Sequence, residues 1–502
     1  MRIASLAIQL QLLLLSIAVH AQISSRDGDI SSELGPLLSR DATITLPSSP
    51  NWPPLLVRAA SPRIHPNYVA VVEVATEGDV QQTILYANRH GMPFLAVSGT
   101  HGWPSTLNNL DGGIQINMRK LNHTRVHCDG KTATAGGGVM QYEITASLFE
   151  QGKQAVTGIC ECVSAIGPLL GGGHSMLQGR HGFAADNLIS ARLVLANGSA
   201  VTVSAEQNPD LFWAVRGAGH NFGIVTSFDL KLYDVAEGGW TMVAFSFTQD
   251  KLEAFFDTWN QVEVAHEDPG LLVLNGVMAR DDSLDTDHPV INLQLLYEGD
   301  NNAAADDYAA AFRALGPVAE TTVTDIAWGD LFDVGGFGLE SPVCRKNENI
   351  LGYPNSFAQW NGSAMRRGFD LFSEITADET FSTSAWLLES YGWNGVQAVP
   401  ESANAVAPEE RSNHILTSPI LWWPGDDEQD RLKAIAYGEN MQKAVRDEGS
   451  APHSYVNYAV GSEELQEVYG QEAARIEKLK TLKRAWDPEN RFGFYMPIQP
   501  RS

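Results

Sequence analysis

The sequence predicts an α+β protein with two domains, and three observations lead to this prediction. The chain has 502 residues, which is more than one hydrophobic core ordinarily supports. Short strands, helices and glycine-rich segments alternate up to about Trp240, whereas alternating strands such as Ile291 to Tyr297 and amphipathic helices dominate afterwards. This change predicts a second domain in which helices back an antiparallel sheet.

The first domain begins with a strand, a helix and a second strand. Val69 to Ala75 is a short apolar run, and Thr76-x-x-Asp79 is the pattern of a helix capping box. Phe94 to Val97 is the next predicted strand, and it leads directly into the glycine-containing sequence SGTHG. We expect regular structure to begin only after a Ser- and Pro-rich leader that ends near Pro62.

Three glycine-rich segments stand out because glycine does not suit ordinary helix interiors. They are Leu95 to Gly102, Val156 to Asn187 and Arg216 to Val225. The third follows a helix and opens a strand, which is the reverse of the Rossmann dinucleotide loop, so a Rossmann fold is rejected. Together the three segments can surround one extended ligand, such as a dinucleotide.

Two further local patterns complete the elements. Asn197-Gly198 lies between two apolar runs, which predicts a hairpin. Near the end of the chain, Tyr455 to Tyr458 is predicted to be a strand, and a helix follows that ends at Trp486.

The N-terminus has the pattern of a secretory signal peptide. Arg2 precedes a mostly apolar run from Leu6 to Val19, and the small residues around Ala21 predict cleavage after residue 21. Glycosylation sequons at Asn122, Asn197 and Asn361 agree with secretion. No segment is long and apolar enough to predict a stable membrane span.

Charge and cysteine content exclude some function classes. The formal net charge of -26 disfavours a nucleic-acid partner. Cys160 and Cys162 are too close to bridge each other comfortably, and a metal site would require a second pair of ligands. Cys162 is either a disulfide partner of Cys128 or Cys344 or a small buried hydrophobe. We predict no metal ligands, and His174, His181 and His220 are interpreted as loop histidines.

Five motifs in order resemble one known family. They are SGTHG, GICECVSAIGPLLGGGHS, GRHGFAADNL, DLFWAVRGAGHNFGIVT and the ending YVNYA…WDPENRF. The chain resembles the PCMH-type FAD-binding oxidoreductases of the vanillyl-alcohol oxidase superfamily, and most closely the fungal secondary-metabolism members of the berberine-bridge-enzyme-like branch. The resemblance implies a two-part FAD-binding domain (residues 62–238 with 455–502) and a substrate domain (239–454), after a signal peptide (1–21) and a leader (22–61).

The resemblance also implies which residues bind FAD. His101 stands where the family histidine bonds covalently to the flavin 8α-methyl carbon, and the alternative is a loop histidine that caps a turn. Cys160 stands where some members form a second bond at flavin C6, and this bond is left open. The other implied FAD-binding residues are Ser98, Gly99, Thr100, Gly102, Gly158, Gly172, Gly173, Asn187, Gly223, Ile224, Val225, Asn457 and Tyr458.

The implied reaction is hydride transfer from a small organic substrate to flavin N5, followed by reoxidation by O2 with release of hydrogen peroxide. A side chain must act as the base, and we consider Tyr391, His414 and Tyr455, with Glu389 as a further candidate. The substrate is a mostly apolar secondary metabolite, since tryptophans could line its pocket, unless these belong to the core. They are Trp386, Trp393, Trp422 and Trp423.

Two alternatives to this function stay open, a carbohydrate oxidase and a secreted flavin-binding protein without turnover. We expect the protein to be a monomer.

Overall fold

The computed structural model describes residues 30–264, 272–299, 302–446 and 451–500. The predicted signal peptide, residues 1–21, lies outside the described residues. Over the described part, the fold is α+β, as predicted, and is organised around three main sheets. None of the described helices is both long and apolar enough to cross a membrane.

The first sheet has four strands in the order β1-β2-β4-β3. Strands β2, β4 and β3 run parallel. The helix Glu77–Arg89 connects two of them, and its first turn has the predicted capping box of Thr76 and Asp79. The strands are β1 (Thr43–Thr45), β2 (Tyr68–Glu73), β3 (Phe94–Val97) and β4 (Gly113–Asn117).

Regular structure begins earlier than the sequence predicts. Strand β1 pairs antiparallel with β2, and Ile30 and Leu34 are buried against the same sheet. A three-residue edge strand is too short to show an alternating pattern, which explains why the sequence did not reveal it. The described part of the leader, from Ile30 onward, therefore contributes to the packing of the first sheet.

The second sheet is antiparallel, with the order β5-β6-β10-β8-β9. Strands β8 and β9 form the hairpin predicted at Asn197-Gly198. A two-stranded ribbon of β7 and β11 lies apart from it. The strands are β5 (Thr124–Val126), β6 (Thr132–Gly136), β7 (Lys153–Gln154), β8 (Leu188–Val194), β9 (Ala200–Ser204), β10 (Ile224–Lys231) and β11 (Tyr233–Asp234).

The third sheet has eight strands and is antiparallel, as predicted for the second half of the chain. Its order is β15-β12-β14-β13-β18-β19-β16, and β17 also pairs with β19. The strands are β12 (Trp240–Phe247), β13 (Leu272–Asp281), β14 (Asp285–Glu298), β15 (Ala319–Ile326), β16 (Asn349–Gly352), β17 (Asn355–Phe357), β18 (Ala385–Tyr391) and β19 (Ile415–Trp423).

Helices cover one face of this large sheet, and the other face turns toward the first half of the chain. The helix-covered face packs residues such as Phe245, Leu293 and Leu388 into one core. On the opposite face, Met242, Leu296 and Tyr391 join the core of the glycine-rich half. The sheet therefore links two hydrophobic cores through its two faces.

The remaining helices connect and cover these sheets. In the first half they are Trp52–Leu55, Gln141–Phe149, Ile166–Leu170, Gln178–His181 and Pro209–Ala218. In the second half they are Leu252–Val264, Asn302–Arg313, Leu331–Val334, Gly362–Ala377, Asn394–Gln397, Pro408–Ser412, Glu428–Val445, Leu465–Tyr469 and Ala473–Trp486.

The C-terminal segment returns to the first half of the chain. Phe492 meets Phe94 edge to face at 5.6 Å between ring centroids, and Lys483 Nζ donates to the carbonyl of Asn221 at 2.8 Å. The strand predicted at Tyr455 to Tyr458 is wrong, because the amide of Tyr458 donates to the carbonyl of Tyr455 at 2.9 Å in a turn. The side chain of Asn457 holds this turn by donating to the carbonyl of Pro168 at 2.8 Å.

Candidate active site

A cavity lies where the three glycine-rich segments and the C-terminal segment meet; we call it the FAD-loop cavity. Each glycine-rich segment supplies part of its wall, so the segments do surround one space. The sequence-predicted residues that line it are Ser98, Gly99, Thr100, His101, Gly102, Gly223, Ile224, Val225, Asn457 and Tyr458.

Five other predicted FAD-binding residues are not part of this lining: Gly158, Cys160, Gly172, Gly173 and Asn187. Asn187 donates to the carbonyls of two nearby loop residues and accepts from a tyrosine hydroxyl. The amide of Gly173 donates to the hydroxyl of Tyr455 at 3.1 Å. These contacts shape the loop behind the cavity wall.

The cavity wall contains polar atoms that fit a dinucleotide such as FAD. Nε2 of His220 is buried without a hydrogen-bond partner, as are Nε and Nη1 of Arg58. Both side chains line the cavity. The remaining nitrogen of the guanidinium, Nη2 of Arg58, donates to the carbonyl of Gly102 at 3.2 Å. Buried polar atoms are normally satisfied, so the unpaired nitrogens of an imidazole and a guanidinium in one wall suit a ligand with oxygen acceptors and an anionic group.

His101 is presented to this cavity by a strained backbone. The preceding residue, Thr100, has φ 55, a conformation that is unusual for a β-branched residue and typical of functional loops. Nε2 of His101 lies 2.9 Å from the carbonyl oxygen of Val343, so this nitrogen carries the proton and donates it. Nδ1 consequently keeps its lone pair.

The electrostatic environment keeps this imidazole neutral. Burial lowers the pKa of His101, and the cations Lys346 and Arg58 lower it further. A neutral ring with a free lone pair on Nδ1 is a potential nucleophile.

A disulfide braces the segment that holds His101. Cys344, next to Val343, is bonded to Cys162, which decides between the two partners that the sequence left open for Cys162. Lys346 donates to the carbonyl of Gly99 at 3.1 Å and to Oγ1 of Thr100 at 3.0 Å. Cys128 is a free, exposed thiol.

Tyr458 is a cavity-lining residue whose hydroxyl is bonded to a carboxylate. Its hydroxyl donates to Oε2 of Glu389 at 2.9 Å, and the hydroxyl of Tyr391 donates to Oε1 at 2.8 Å. Glu389 is buried, and burial raises its pKa. Burial, followed by the charge of Glu389, also raises the pKa of Tyr458. A phenol thus lies between the cavity and a buried carboxylate that can take up its proton.

The three residues first considered as the base occupy other positions, and none of them lines the FAD-loop cavity. The hydroxyl of Tyr391 donates a hydrogen bond to Oε1 of Glu389, whereas Tyr458 bonds the other carboxylate oxygen. The hydroxyl of Tyr455 accepts from the amides of Gly173 and His174 and from the Asn457 side chain. These contacts make Tyr455 a support for the glycine loop.

His414 lies in a second cavity of about 670 Å³, which we call the His414 cavity. Its Nε2 is 3.0 Å from Oε2 of Glu263, and its ring stacks on Trp393 with centroids 5.0 Å apart. Trp393 and His414 both line the His414 cavity. Neither side chain lines the FAD-loop cavity.

The other tryptophans form core and not an apolar substrate pocket. Trp386 and Trp423 are buried in the helix-covered core, and Trp422 packs against it. The indole of Trp386 donates to Oγ1 of Thr417 at 2.7 Å. The sequence-based argument for a mostly apolar substrate therefore loses its support.

Cys160 is a free thiol beside this site. Burial, followed by the nearby charge of Glu389, raises its pKa to about 12. The thiol form therefore predominates in the cofactor-free environment.

Sequence reasoning missed several residues of the cavity wall, among them Arg58 and Tyr495. Arg58 lies in the segment interpreted as a leader, and Tyr495 lies beyond the helix predicted to end at Trp486. The sequence signal for the base was the motif at Tyr455 to Tyr458, because Tyr458 lines the FAD-loop cavity. The partner Glu389 was recognised only as one candidate among four.

Comparisons with known proteins agree with this site. Residues 68–204 match the family model described as FAD binding domain. The FAD-linked oxidoreductase chyH of Penicillium rubens is 34% identical over 95% of both chains. The FAD-linked oxidoreductase anuG of Penicillium roqueforti is 34% identical over 94% of this chain and 92% of its own.

Solved structures with the same fold include several flavin oxidases. Xylooligosaccharide oxidase from Myceliophthora thermophila has a TM-score of 0.80 at 23% identity and covers 94% of this chain and 99% of its own. Glucooligosaccharide oxidase from Acremonium strictum, described with a 6-S-cysteinyl, 8α-N1-histidyl FAD, has a TM-score of 0.76 at 18% identity, covering 94% and 100%.

The fold and the cavity define a PCMH-type flavoprotein, an FAD-dependent oxidoreductase. The extensive similarity to the curated relatives then places the chain more narrowly: it belongs to the family of FAD-linked oxidoreductases that includes the Penicillium proteins. The family resemblance found in the sequence is thereby confirmed.

Proposed function

We propose that this protein is a secreted oxidase that holds FAD covalently and oxidises an alcohol-bearing small molecule of secondary metabolism. The observation that carries the proposal is the Tyr458–Glu389 pair, in which a cavity-lining phenol is bonded to a buried carboxylate. When bound, FAD supplies the hydride acceptor, and its reduced form is reoxidised by O2 with release of hydrogen peroxide.

The chain's own residues provide proton transfer and orientation. The hydroxyl of Tyr458 removes the proton from the substrate oxygen while passing its own proton to Oε2 of Glu389. Tyr391, bonded to the other oxygen of Glu389 at 2.8 Å, fixes the carboxylate's orientation. Burial of Glu389 excludes water from this transfer, so the proton stays between the two residues.

Covalent attachment is proposed at Nδ1 of His101. The carbonyl of Val343 fixes the proton on the opposite nitrogen, and the lowered pKa favours the neutral ring. A second bond at Cys160 stays a prediction, which rests on the resemblance of the Gly158-Ile159-Cys160 motif to the family and on the free thiol of Cys160. Peptide mapping of the wild-type protein and of His101→Ala and Cys160→Ala separates one linkage from two.

A carbohydrate oxidase is the second candidate function. Structural relatives such as xylooligosaccharide oxidase act on sugars by name, although their identity to this chain supports the fold alone. A polar row of side chains beside Glu389, described below, favours this candidate over a strictly apolar substrate. A flavin-binding protein without turnover would have no use for the Tyr458–Glu389 pair.

Secretion is proposed from the signal-peptide pattern together with two structural observations. The Cys162–Cys344 disulfide suits an oxidising compartment. The sequon residues Asn122, Asn197 and Asn361 are all exposed, so a glycan could be attached at each. The monomeric state stays a prediction, which size-exclusion chromatography with light scattering can test.

The decisive experiment is anaerobic mixing of the purified holoprotein with candidate alcohols and sugars while flavin absorbance is followed. Bleaching by a substrate, with peroxide release when air is admitted, supports the oxidase. Bleaching that only a quinone reverses would make the enzyme a dehydrogenase. Flavin that no member of the panel reduces would favour the non-catalytic alternative.

A further inference from the structure

A row of polar side chains crosses the large sheet beside Glu389. The register pairs Glu389 of β18 with Asn275 of β13, and Asn275 with Gln294 of β14. Residues directly opposite each other point to the same face of a sheet. With strands spaced about 4.8 Å apart, Asn275 lies about 5 Å and Gln294 about 10 Å along the row from Glu389.

This row marks the place where the sheet stops packing and becomes accessible. The row next to it, Tyr391, Val273 and Leu296, is apolar and buried in the core of the glycine-rich half. On the other side, Leu387 and Val277 are half-buried. The polar row therefore lies between the packed part of this face and its half-buried part.

The carboxamides of this row lack partners. Asn275 is only 7% exposed, and its side chain makes no hydrogen bond within the described residues. Oε1 of Gln294 is buried without a partner, whereas neighbouring Asn292 accepts from Ser246 at 2.7 Å. A buried polar group left unsatisfied costs about 1–3 kcal/mol, so the unpaired Oε1 of Gln294, next to the unbonded carboxamide of Asn275, indicates a ligand.

We propose that Asn275 and Gln294 position a second oxygen-bearing group of the substrate. A carboxamide both donates and accepts, so it matches a hydroxyl or a carbonyl, and its neutrality favours an uncharged group. The substrate is thus an alcohol that carries a further hydroxyl or carbonyl at a distance from the oxidised carbon. This inference rests on the proposed oxidase function and adds its substrate class.

The test compares matched alcohols that differ by one hydroxyl. One pair is benzene-para-dimethanol and para-methylbenzyl alcohol, and the other is glucose and its deoxy analogue at carbon two. The kcat/KM for flavin reduction is measured for wild type, Asn275→Leu and Gln294→Leu. The matched control is Thr321→Val, an exposed position at the far end of the same row.

We expect the wild type to prefer the hydroxyl-bearing member of at least one pair by about tenfold or more, the effect of leaving a buried partner unpaired. The Leu variants should remove that preference while changing kcat/KM for the other member less than threefold. The control should keep it. Unchanged FAD content and Tm show that the variants fold.

Three outcomes would overturn the inference. Equal loss with both members of a pair would assign the carboxamides a structural role. A wild-type protein that reduces its flavin only with the deoxy or methyl compounds, or that responds to no hydroxyl-bearing member, would exclude the proposed substrate class. In the first two cases flavin reduction still occurs, so the oxidase assignment stands while the positioning role fails.

Discussion

Two buried carboxylates, Glu389 on strand β18 and Glu263 on the helix Leu252–Val264, lie on opposite sides of the large sheet, beside different cavities. Glu389 faces the FAD loops and accepts from Tyr458. The next residue, Ser390, points to the helix-covered face and donates to Glu263, which also bonds His414 at 3.0 Å. The face of the strand, and not the residue type, therefore decides which titratable pair lies beside the FAD-loop cavity.

The largest expected effect is on the Tyr458–Glu389 pair. Tyr458→Phe removes the phenolic proton acceptor but keeps the ring, so we expect the rate of flavin reduction to fall by about 10²–10⁴-fold, the usual contribution of general base catalysis. Stopped-flow reduction under anaerobic conditions measures this rate. Unaltered reduction in a variant with full FAD content would exclude Tyr458 as the base.

A third buried carboxylate, Glu410, lies outside the linings of both cavities and contributes to stability. Glu410 lines neither cavity and bonds His174 at 2.7 Å and His453 at 2.6 Å. These histidines overcome burial, and the pKa of Glu410 is lowered from 4.5 to about 2. Its stabilisation is therefore present above pH 4.5 and is lost as pH falls toward 2.

Accordingly, Glu410→Gln should lower the free energy of unfolding at pH 6 by roughly 3–5 kcal/mol, because two buried imidazoles lose their charged partner. Thermal melts from pH 6 down to pH 3 check the prediction. The variant should lose less further stability on acidification than the wild type, and parallel losses would contradict the role given to Glu410.

The dependence of turnover on pH tests the role proposed for Glu389. The proposed reaction needs Glu389 ionised, and burial raises the pKa of Glu389 above that of an ordinary carboxyl. Activity should therefore be present above this raised pKa and should decline on acidification already at a higher pH than 4.5. The acid limb of kcat/KM measures it, and a limb that persists in Glu389→Gln would show that another group titrates.

The smallest effect is expected at His414. Although this histidine was considered as a base, it lines the His414 cavity beside Trp393. We expect His414→Ala to change the rate of flavin reduction less than about threefold. The substitution removes the contacts of His414 with Glu263 and Trp393, but no group proposed to transfer a proton. A fall as large as that expected for Tyr458→Phe would instead assign proton transfer to the pair of His414 and Glu263.

Local signals explain which parts were predictable from sequence. The capping box at Thr76 and the hairpin at Asn197 depend on neighbouring residues, and both are present as predicted. The turn at Tyr455 was missed because it is held by a long-range bond from Asn457 to Pro168. The aromatic and apolar residues of this segment have the sequence pattern of a strand.

The site was only partly predictable for the same reason. The glycine motifs located the cavity wall through their backbone requirements. Which titratable residue meets the cavity depends on strand register and on the pairing of Tyr458 with Glu389, 69 residues apart. Residue type alone could not distinguish His414 from Tyr458, and it placed Trp386 equally well in a pocket or in the core.

The wall of the FAD-loop cavity draws on both ends of the described chain, from Arg58 to Tyr495. Closure of this wall therefore depends on contacts between residues more than 400 positions apart, which form slowly. Phe492 and Tyr495 are among the last of the lining residues in chain order, so the enclosure stays open on their side until Phe492 packs on Phe94.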